Sequence, residues 1–458
     1  MRHKLLWVIV TAITCIWGEN VLAATTDQGN LRAKQLLHQA VQLGAELDPP
    51  GIQIDLYKTI AEEFAAMGAA PDANRLAEYF DVKRARDLVL LSAVRGSLKG
   101  KHLDQGIELA KLITEEYERG WALAYIARSQ AEEGYFQAAQ ETLAEMKSGT
   151  LAEHALGEII PLMVKAGRVR DAIQAALDRE DDHSKGQVIS MIVRAQFHEG
   201  DIEAAHETAT AFSSKINDQW PLLTLSEVEA ETGHFQEAED IASKLKDPLR
   251  YFALGHIAES LANHGEFSKA LDMAKSIPSP MHRYEDSPST HFRAIGEIAI
   301  VQARKGYYKE ALSTARLIPR QMSACDICEG YRDEIVSHIG IAQAQRGDLG
   351  LALQTAEKLK KSTAYYGDEV IKSVIFVHTR KGQIEAAIRT SKRFRSHDYR
   401  ASTYQTIAED WTRRDGEKGV MKWASDLSSR LEKAYVSIGI ARAVLDKSTT
   451  TGPASSIP

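Results

Sequence analysis

A glycine recurs along this 458-residue chain with an aliphatic or aromatic residue two places later and an alanine five places later. Nothing else in the sequence constrains the fold as strongly. Clear copies are Gly134…Phe136…Ala139, Gly167…Val169…Ala172, Gly200…Ile202…Ala205, Gly233…Phe235…Ala238, Gly265…Phe267…Ala270, Gly306…Tyr308…Ala311, Gly347…Leu349…Ala352 and Gly382…Ile384…Ala387. Weaker copies stand at Gly68 with Ala73, Lys101 with Gly106, and Asp415 with Val420, which makes eleven. Successive anchors lie 33, 33, 33, 33, 33, 32, 41, 41, 35 and 33 residues apart. That period belongs to a pair of short helices, too small to bury a core alone and therefore obliged to stack on its neighbours.

Both halves of each copy carry helical periodicity. Before the glycine, apolar residues recur at i, i+3, i+4 and i+7, as in Tyr57, Ile60, Ala61, Phe64 and in Leu254, Ile257, Ala258, Leu261. After it, small and apolar residues recur at i, i+4 and i+7, as in Ala270, Ala274, Ile277, in Ala311, Ala315, Ile318, in Ala352, Ala356, Leu359 and in Ala238, Ala242, Leu245. We call these helices A and B. The glycine can adopt positive φ and end helix A, and the alanines let helix B approach its neighbours closely. No alternating strand pattern occurs, so an all-α stack is expected. A composition of 44% hydrophobic and 26% charged residues with only 12 Pro excludes collagen and a disordered chain.

In its period, its turn glycine and the alanine that opens helix B, the region from about residue 50 to 430 resembles tetratricopeptide-repeat (TPR) proteins. It departs from them where the aromatic residues of helix A become aliphatic or variable, and where the helix-B Phe becomes Ala274, Ala315 or Ala356. The resemblance implies a right-handed α-α superhelical solenoid of about eleven helix-turn-helix repeats, with a concave face lined mostly by helix A that holds peptides or partner domains. Residues 24–50 and 431–447 read as capping helices flanking the 51–430 solenoid, and 448–458 as a disordered tail.

The first 23 residues carry Arg2 and Lys4, an apolar run from Leu5 to Trp17, and Val21-Leu22-Ala23 at a cleavage-like position, the pattern of a signal peptide. An exported, periplasmic or secreted protein is expected. Membrane association would then come only through a partner, or through a lipid anchor at Cys15, for which Ala12-Ile13-Thr14 is a poor setting.

After cleavage Cys325 and Cys328 remain, and in an oxidising compartment a local disulfide is the expected state. They lie in the second of two eight-residue expansions between helix B and the next helix A. The first holds His282, Arg283, Tyr284 and His291, and Tyr331 closes the second. Such insertions tend to map to a binding face, which makes His282, Arg283, Tyr284 and Tyr331 candidate partner contacts. The two histidines stand about one repeat before the cysteines, but the set is too sparse to read as a metal site, and no metal or other cofactor is expected.

Lys372, Phe376 and Arg380 are spaced by four on one helix A, away from the apolar stripe of Ile371, Val374, Ile375 and His378. Two cations around an aromatic suit an acidic or carboxylate-ended peptide. The stretch from Lys358 to Lys433 has a surplus of +7, whereas residues 199–240 hold 11 acidic groups and one basic group, Lys215. Fields of this kind steer partners. Nucleic acid is not expected for an acidic, exported chain without stacking motifs. His206, His234 and His264 fall on turns and read as exposed polar residues, and His378 as a hydrogen-bonded core histidine. With no serine elbow, phosphate loop or H-E-x-x-H, the expected function is a non-catalytic scaffold for proteins or peptides. The alternative is a binder of cell-envelope polymer, peptidoglycan or an anionic polysaccharide, at the basic C-terminal end.

Overall fold

The computed structural model describes residues 28–47, 50–146, 149–278, 290–319, 330–359 and 364–450, and among them contains helices and no strands. Helix α1 spans residues 28–44. It is followed by α2 (Pro50–Ala66), α3 (Ala70–Ala77), α4 (Lys83–Lys99), α5 (Leu103–Lys111), α6 (Glu116–Glu132), α7 (Phe136–Ala144), α8 (Gly149–Lys165) and α9 (Val169–Leu177). Next come α10 (Asp182–His198), α11 (Ile202–Lys215), α12 (Trp220–Glu231), α13 (Phe235–Ala242), α14 (Leu249–Asn263), α15 (Phe267–Ser276), α16 (Thr290–Arg304) and α17 (Tyr308–Ala315). The last seven are α18 (Tyr331–Gln345), α19 (Leu349–Lys358), α20 (Ala364–Arg380), α21 (Ile384–Ser391), α22 (His397–Asp415), α23 (Glu417–Asp426) and α24 (Arg430–Thr450). Even-numbered helices are the A helices, and odd-numbered ones from α3 onward are the B helices. The chain is an all-α helical-repeat stack.

The turn works as the sequence requires. Nine anchor glycines take φ between 73° and 93°. At Gly134, whose φ is 86°, the glycine N–H donates to the Ala131 carbonyl at 3.0 Å and the Tyr135 N–H to the Gln130 carbonyl at 2.8 Å, the paired bonds of a Schellman ending. Lys101 occupies the anchor place of the second copy and takes φ 60°, so even a lysine is held in the left-handed region there. At the last copy the positive φ belongs to Gly416 rather than Asp415, and the turn shortens by a residue because Gly416 ends α22 and caps α23 together.

The small residues of helix B are buried as their spacing demands. Ala238, Ala270, Ala274, Ala311 and Ala352 have no exposed surface. In helix A, Ile257, Ala258 and Leu261 are buried, but Leu254 is only half-buried and Ala253 takes the core position beside it. A second, polar tie joins A to B within a repeat. Four residues before the turn glycine, Gln130 accepts from Thr142 Oγ1 and Gln343 from Thr355 Oγ1, each at 2.8 Å, linking residues twelve apart in sequence.

The chain divides into two compact units, Leu123–Val377 and a second unit that combines Met1–Ala122 with His378–Pro458. Within the latter the two chain ends are packed together. On the A side, Arg442 of α24 donates to the nearly inaccessible Glu63 of α2 from Nε at 2.6 Å. Its other A-helix neighbour is α22, against which Gly439 lies over the Gln405 carbonyl. On the B side, α1 places Arg32 3.0 Å from Glu417 of α23 and Lys34 2.5 Å from Asp72 of α3. Just past α1, Glu46 pairs with Arg430 at the start of α24. Helix α1 therefore stands where a B helix belongs, between the B helices α23 and α3, beside an α24 that has no B helix after it in the described chain. What the sequence presents as two separate ends is one packed region, with a helix pair drawn from both termini. Helix α24 runs through Thr450, and residues 451–458 lie outside the described residues.

Candidate functional site

The A helices of the unit Leu123–Val377 carry a row of cavities. One of about 600 Å³ opens over α8, α10 and α12, lined by His154, Pro161, Met191, Arg194, Trp220 and Glu227 among others. A smaller one of about 200 Å³ continues over α12, α14 and α16, walled by Trp220, Phe252, His256, Glu259, Arg293 and Glu297. A third, of about 1000 Å³, lies toward the B-to-A connections and again includes Trp220 and Phe252. Trp220 belongs to all three. Its backbone N–H is fixed by Asp218 Oδ1 at 2.7 Å and its ring meets His183 edge-on at 5.9 Å. Its indole N–H bonds nothing among the described residues. An aromatic held at its base with a free donor at its rim is the kind of side chain that anchors interfaces.

The repeat register explains the row. Six residues before the turn glycine, α6 carries Arg128, α8 Pro161, α10 Arg194, α12 Glu227 and α14 Glu259. At Arg128, Arg194 and Glu227 the charge is bridged along the face. Arg128 pairs with Glu158 of α8 and with Glu132 at 2.8 Å. Arg194 pairs with Glu227 and, at 2.9 Å, with Glu231. Glu227 also meets His256 Nε2 at 3.1 Å. Pro161 breaks this chain of ion pairs because it brings no charged head, and the larger of the two A-face openings lies there, with Gly157 clearing space for the Met191 methyl.

Charge on the A face is weighted to the acid side. The two A-face cavities are lined by Glu153, Glu199, Glu227, Glu259 and Glu297 against the permanent cations Arg194 and Arg293. Burial holds the Glu259 carboxyl above the usual carboxylate range, and the neighbouring Glu297 charge pushes the same way, opposed by His256, Arg293 and Arg304.

The residues singled out in the sequence are placed as follows. Lys372, Phe376 and Arg380 stand exposed on successive turns of α20, opposite the buried Ile371, Val374 and Ile375, and Lys372 lies 3.8 Å from Glu369. Tyr331 starts α18 and is half-buried against α16, its hydroxyl seated over Gly296. Burial and the charges of Glu297 and Glu334 push its pKa up. Tyr331 thus lies next to the small cavity rather than beside Lys372. His282, Arg283, Tyr284, Cys325, Cys328 and the signal-like segment 1–23 lie outside the described residues.

Two readings of histidines change. His206 Nε2 and His234 Nδ1 sit 2.5 Å and 2.7 Å from the two oxygens of Glu229, which is 3% exposed. They are half-exposed clamps on a buried carboxylate that occupies the register of Gln130 and Gln343, and not idle turn residues. His378 is half-buried and its Nδ1 meets Gln383 Oε1 at 2.8 Å across the turn, so it closes the end of α20 rather than filling the core.

Sequence reading missed Trp220, Glu227, His256, Glu259, Arg293 and Glu297. The available signal was the repeat register itself, since the position six before each glycine is charged in most copies from Glu62 to Glu259. Among the described residues no three His, Cys, Asp or Glu side chains are grouped to hold a metal ion, and no helix is long and apolar enough to cross a membrane.

No protein-family model matches the chain, and no curated protein matches it. Solved structures of similar shape include the following two. Ton1535 from Thermococcus onnurineus NA1 is 15% identical with a TM-score of 0.23, covering 84% of this chain and 99% of its own. A circular tandem repeat protein with novel repeat topology and enhanced subunit contact surfaces is 12% identical with a TM-score of 0.17, covering 93% of this chain and 99% of its own.

Proposed function

We propose that this chain is an exported, TPR-like, non-catalytic scaffold that binds protein or peptide partners along the A-helix face of the unit Leu123–Val377. The observation that carries the reading is Trp220, an aromatic anchored from below and shared by three adjoining cavities. Specific recognition concentrates in a few aromatic and charged side chains set in preformed concavities. Two adjoining openings offset by two repeats and sharing Trp220 suit an extended polypeptide better than a single small molecule. The Arg194–Glu227–His256 chain of contacts bridges three successive A helices, which keeps this part of the row rigid and lowers the ordering cost of binding.

The test is site-specific photocross-linking. A benzophenone side chain at Gln187, which lines the larger of the two A-face openings, should capture a discrete partner from the native envelope fraction, and Trp220→Ala should reduce that capture at least fivefold. The same probe at the exposed Gln236 of α13 is the control. Equal capture from Gln187 and Gln236, or capture indifferent to Trp220→Ala, refutes the assignment of this face.

A further inference from the structure

The repeat register offers an internal comparison that locates a missing charge. At two steps along the A helices, a residue six before one turn glycine meets the residue nine before the next. At α6 and α8 this pair is Arg128 with Glu158, and at α12 and α14 it is Glu227 with His256, whose atoms lie 3.1 Å apart. At α14 and α16 the same two positions hold Glu259 and Glu297, two carboxylates. Neither forms an ion pair within 4 Å among the described residues, although Arg293 lines the same cavity. Glu259 is half-buried, so bulk water screens the repulsion only in part, and burial and the Glu297 charge raise its proton affinity against the opposing charges of His256, Arg293 and Arg304. The surrounding cavity, about 200 Å³, has room for one long side chain, and Trp220 and Phe252 form its apolar walls.

We propose that this cavity is a pocket for an arginine side chain of the bound partner, the guanidinium bridging Glu259 and Glu297 as Arg128 and His256 complete the equivalent pairs elsewhere on the face. Arginine fits better than lysine. Its planar fork can meet two carboxylates at once, and its flat faces and stem pack against aromatic walls. The proposal rests on the A-helix face being the binding face and names the chemistry that face selects: a basic segment, with arginine seated beside Trp220.

The probe is N-acetyl-arginine methylamide, compared with its uncharged isostere N-acetyl-citrulline methylamide. Each is titrated into the full chain carrying 15N-labelled tryptophan, with indole N–H shifts as the readout. The arginine compound should bind at least tenfold more tightly than the citrulline compound. Glu259→Gln with Glu297→Gln should erase that preference without lowering the melting temperature, whereas Glu141→Gln, on α7, should leave it intact. The proposal is overturned if the native chain shows no preference for arginine, if the double variant keeps the preference, or if calcium alone displaces the arginine compound, which would make the pair a cation site. Cross-linking from Gln187 that still depends on Trp220 would in each of those cases leave the A-face reading standing, so the two failures are distinguishable.

Discussion

Replacing Gly439 with alanine sets two physical effects against each other inside one residue. Gly439 lies in the interior of α24 with ordinary helical φ, where alanine is intrinsically favoured by about 1 kcal/mol. A Cβ added there, however, would stand 2.2 Å from the Gln405 carbonyl oxygen of α22 and 3.0 Å from the Ala408 methyl. The first distance is more than 1 Å short of ordinary contact, which begins near 3.4 Å, and the obstacle is backbone, so α22 and α24 must separate along their whole shared face. Overpacking of this kind costs about 1–3 kcal/mol or more, and for a backbone clash the upper part of that range applies. After subtracting the propensity gain, a net loss of about 2 kcal/mol remains. For a unit of about 200 residues that lowers the melting temperature by about 4–8 °C.

The matched control is Gly157→Ala in the interior of α8, where the added Cβ would meet only the flexible end of Met191, its methyl at 3.3 Å and its sulfur at 3.7 Å, at the edge of an open cavity. There the propensity gain should prevail and raise stability by about 0.5–1 kcal/mol. Far-UV circular dichroism during thermal and urea unfolding of both variants reads the difference. Shifts of the same sign, or Gly439→Ala more stable than the native chain, would refute the close approach of α22 and α24.

Other outcomes follow from the same structure. Arg442→Met leaves Glu63 buried and uncompensated, and should cost about 3–5 kcal/mol in urea unfolding, most of it recovered by adding Glu63→Gln; no recovery would mean that Arg442 acts through packing alone. Ala270→Leu, at a position with no exposed surface, should destabilise by about 1–3 kcal/mol by the same assay, and an unchanged midpoint would place that residue in solvent. Glu259 has a folded-state pKa raised above its unfolded value, so its contribution to stability is present below the unfolded value near 4.3 and is lost as pH rises through the folded one. Glu259→Gln should therefore melt above the native chain at pH 7 and level with it near pH 4, and a gap that is constant across that range would remove the carboxylate as its cause.

Local chemistry was legible in the sequence wherever one residue type at one spacing admits one backbone outcome. The glycine of each copy dictates the positive-φ turn, and the alanines of helix B dictate the close faces, because neither depends on what the distant chain supplies. The spacing of 33 residues marked Lys101 as a weaker copy, but its left-handed φ came only with the structure, since lysine disfavours that region. The period also assigned A and B helices through both expanded intervals, since an amphipathic stripe is a property of its own segment.

Which repeats meet, and how closely, was decided by tertiary structure. Gly439 reads in the sequence as one more residue of a last helix, and only α22 lying against it turns the missing Cβ into a contact requirement. Glu229 reads as one carboxylate in an acidic stretch until the fold buries it between His206 and His234. Trp220 reads as an isolated aromatic until three helices place cavities around it, and Glu259 and Glu297 become a like-charged pair only when α14 and α16 stack. Helix α1 likewise reads as a cap, because nothing local to residues 28–44 says that α24 will stand beside it without a B helix. A repeat period fixes what each segment offers to a neighbour, but charge, burial and clash are properties of pairs, and pairs distant in sequence exist only in the folded chain.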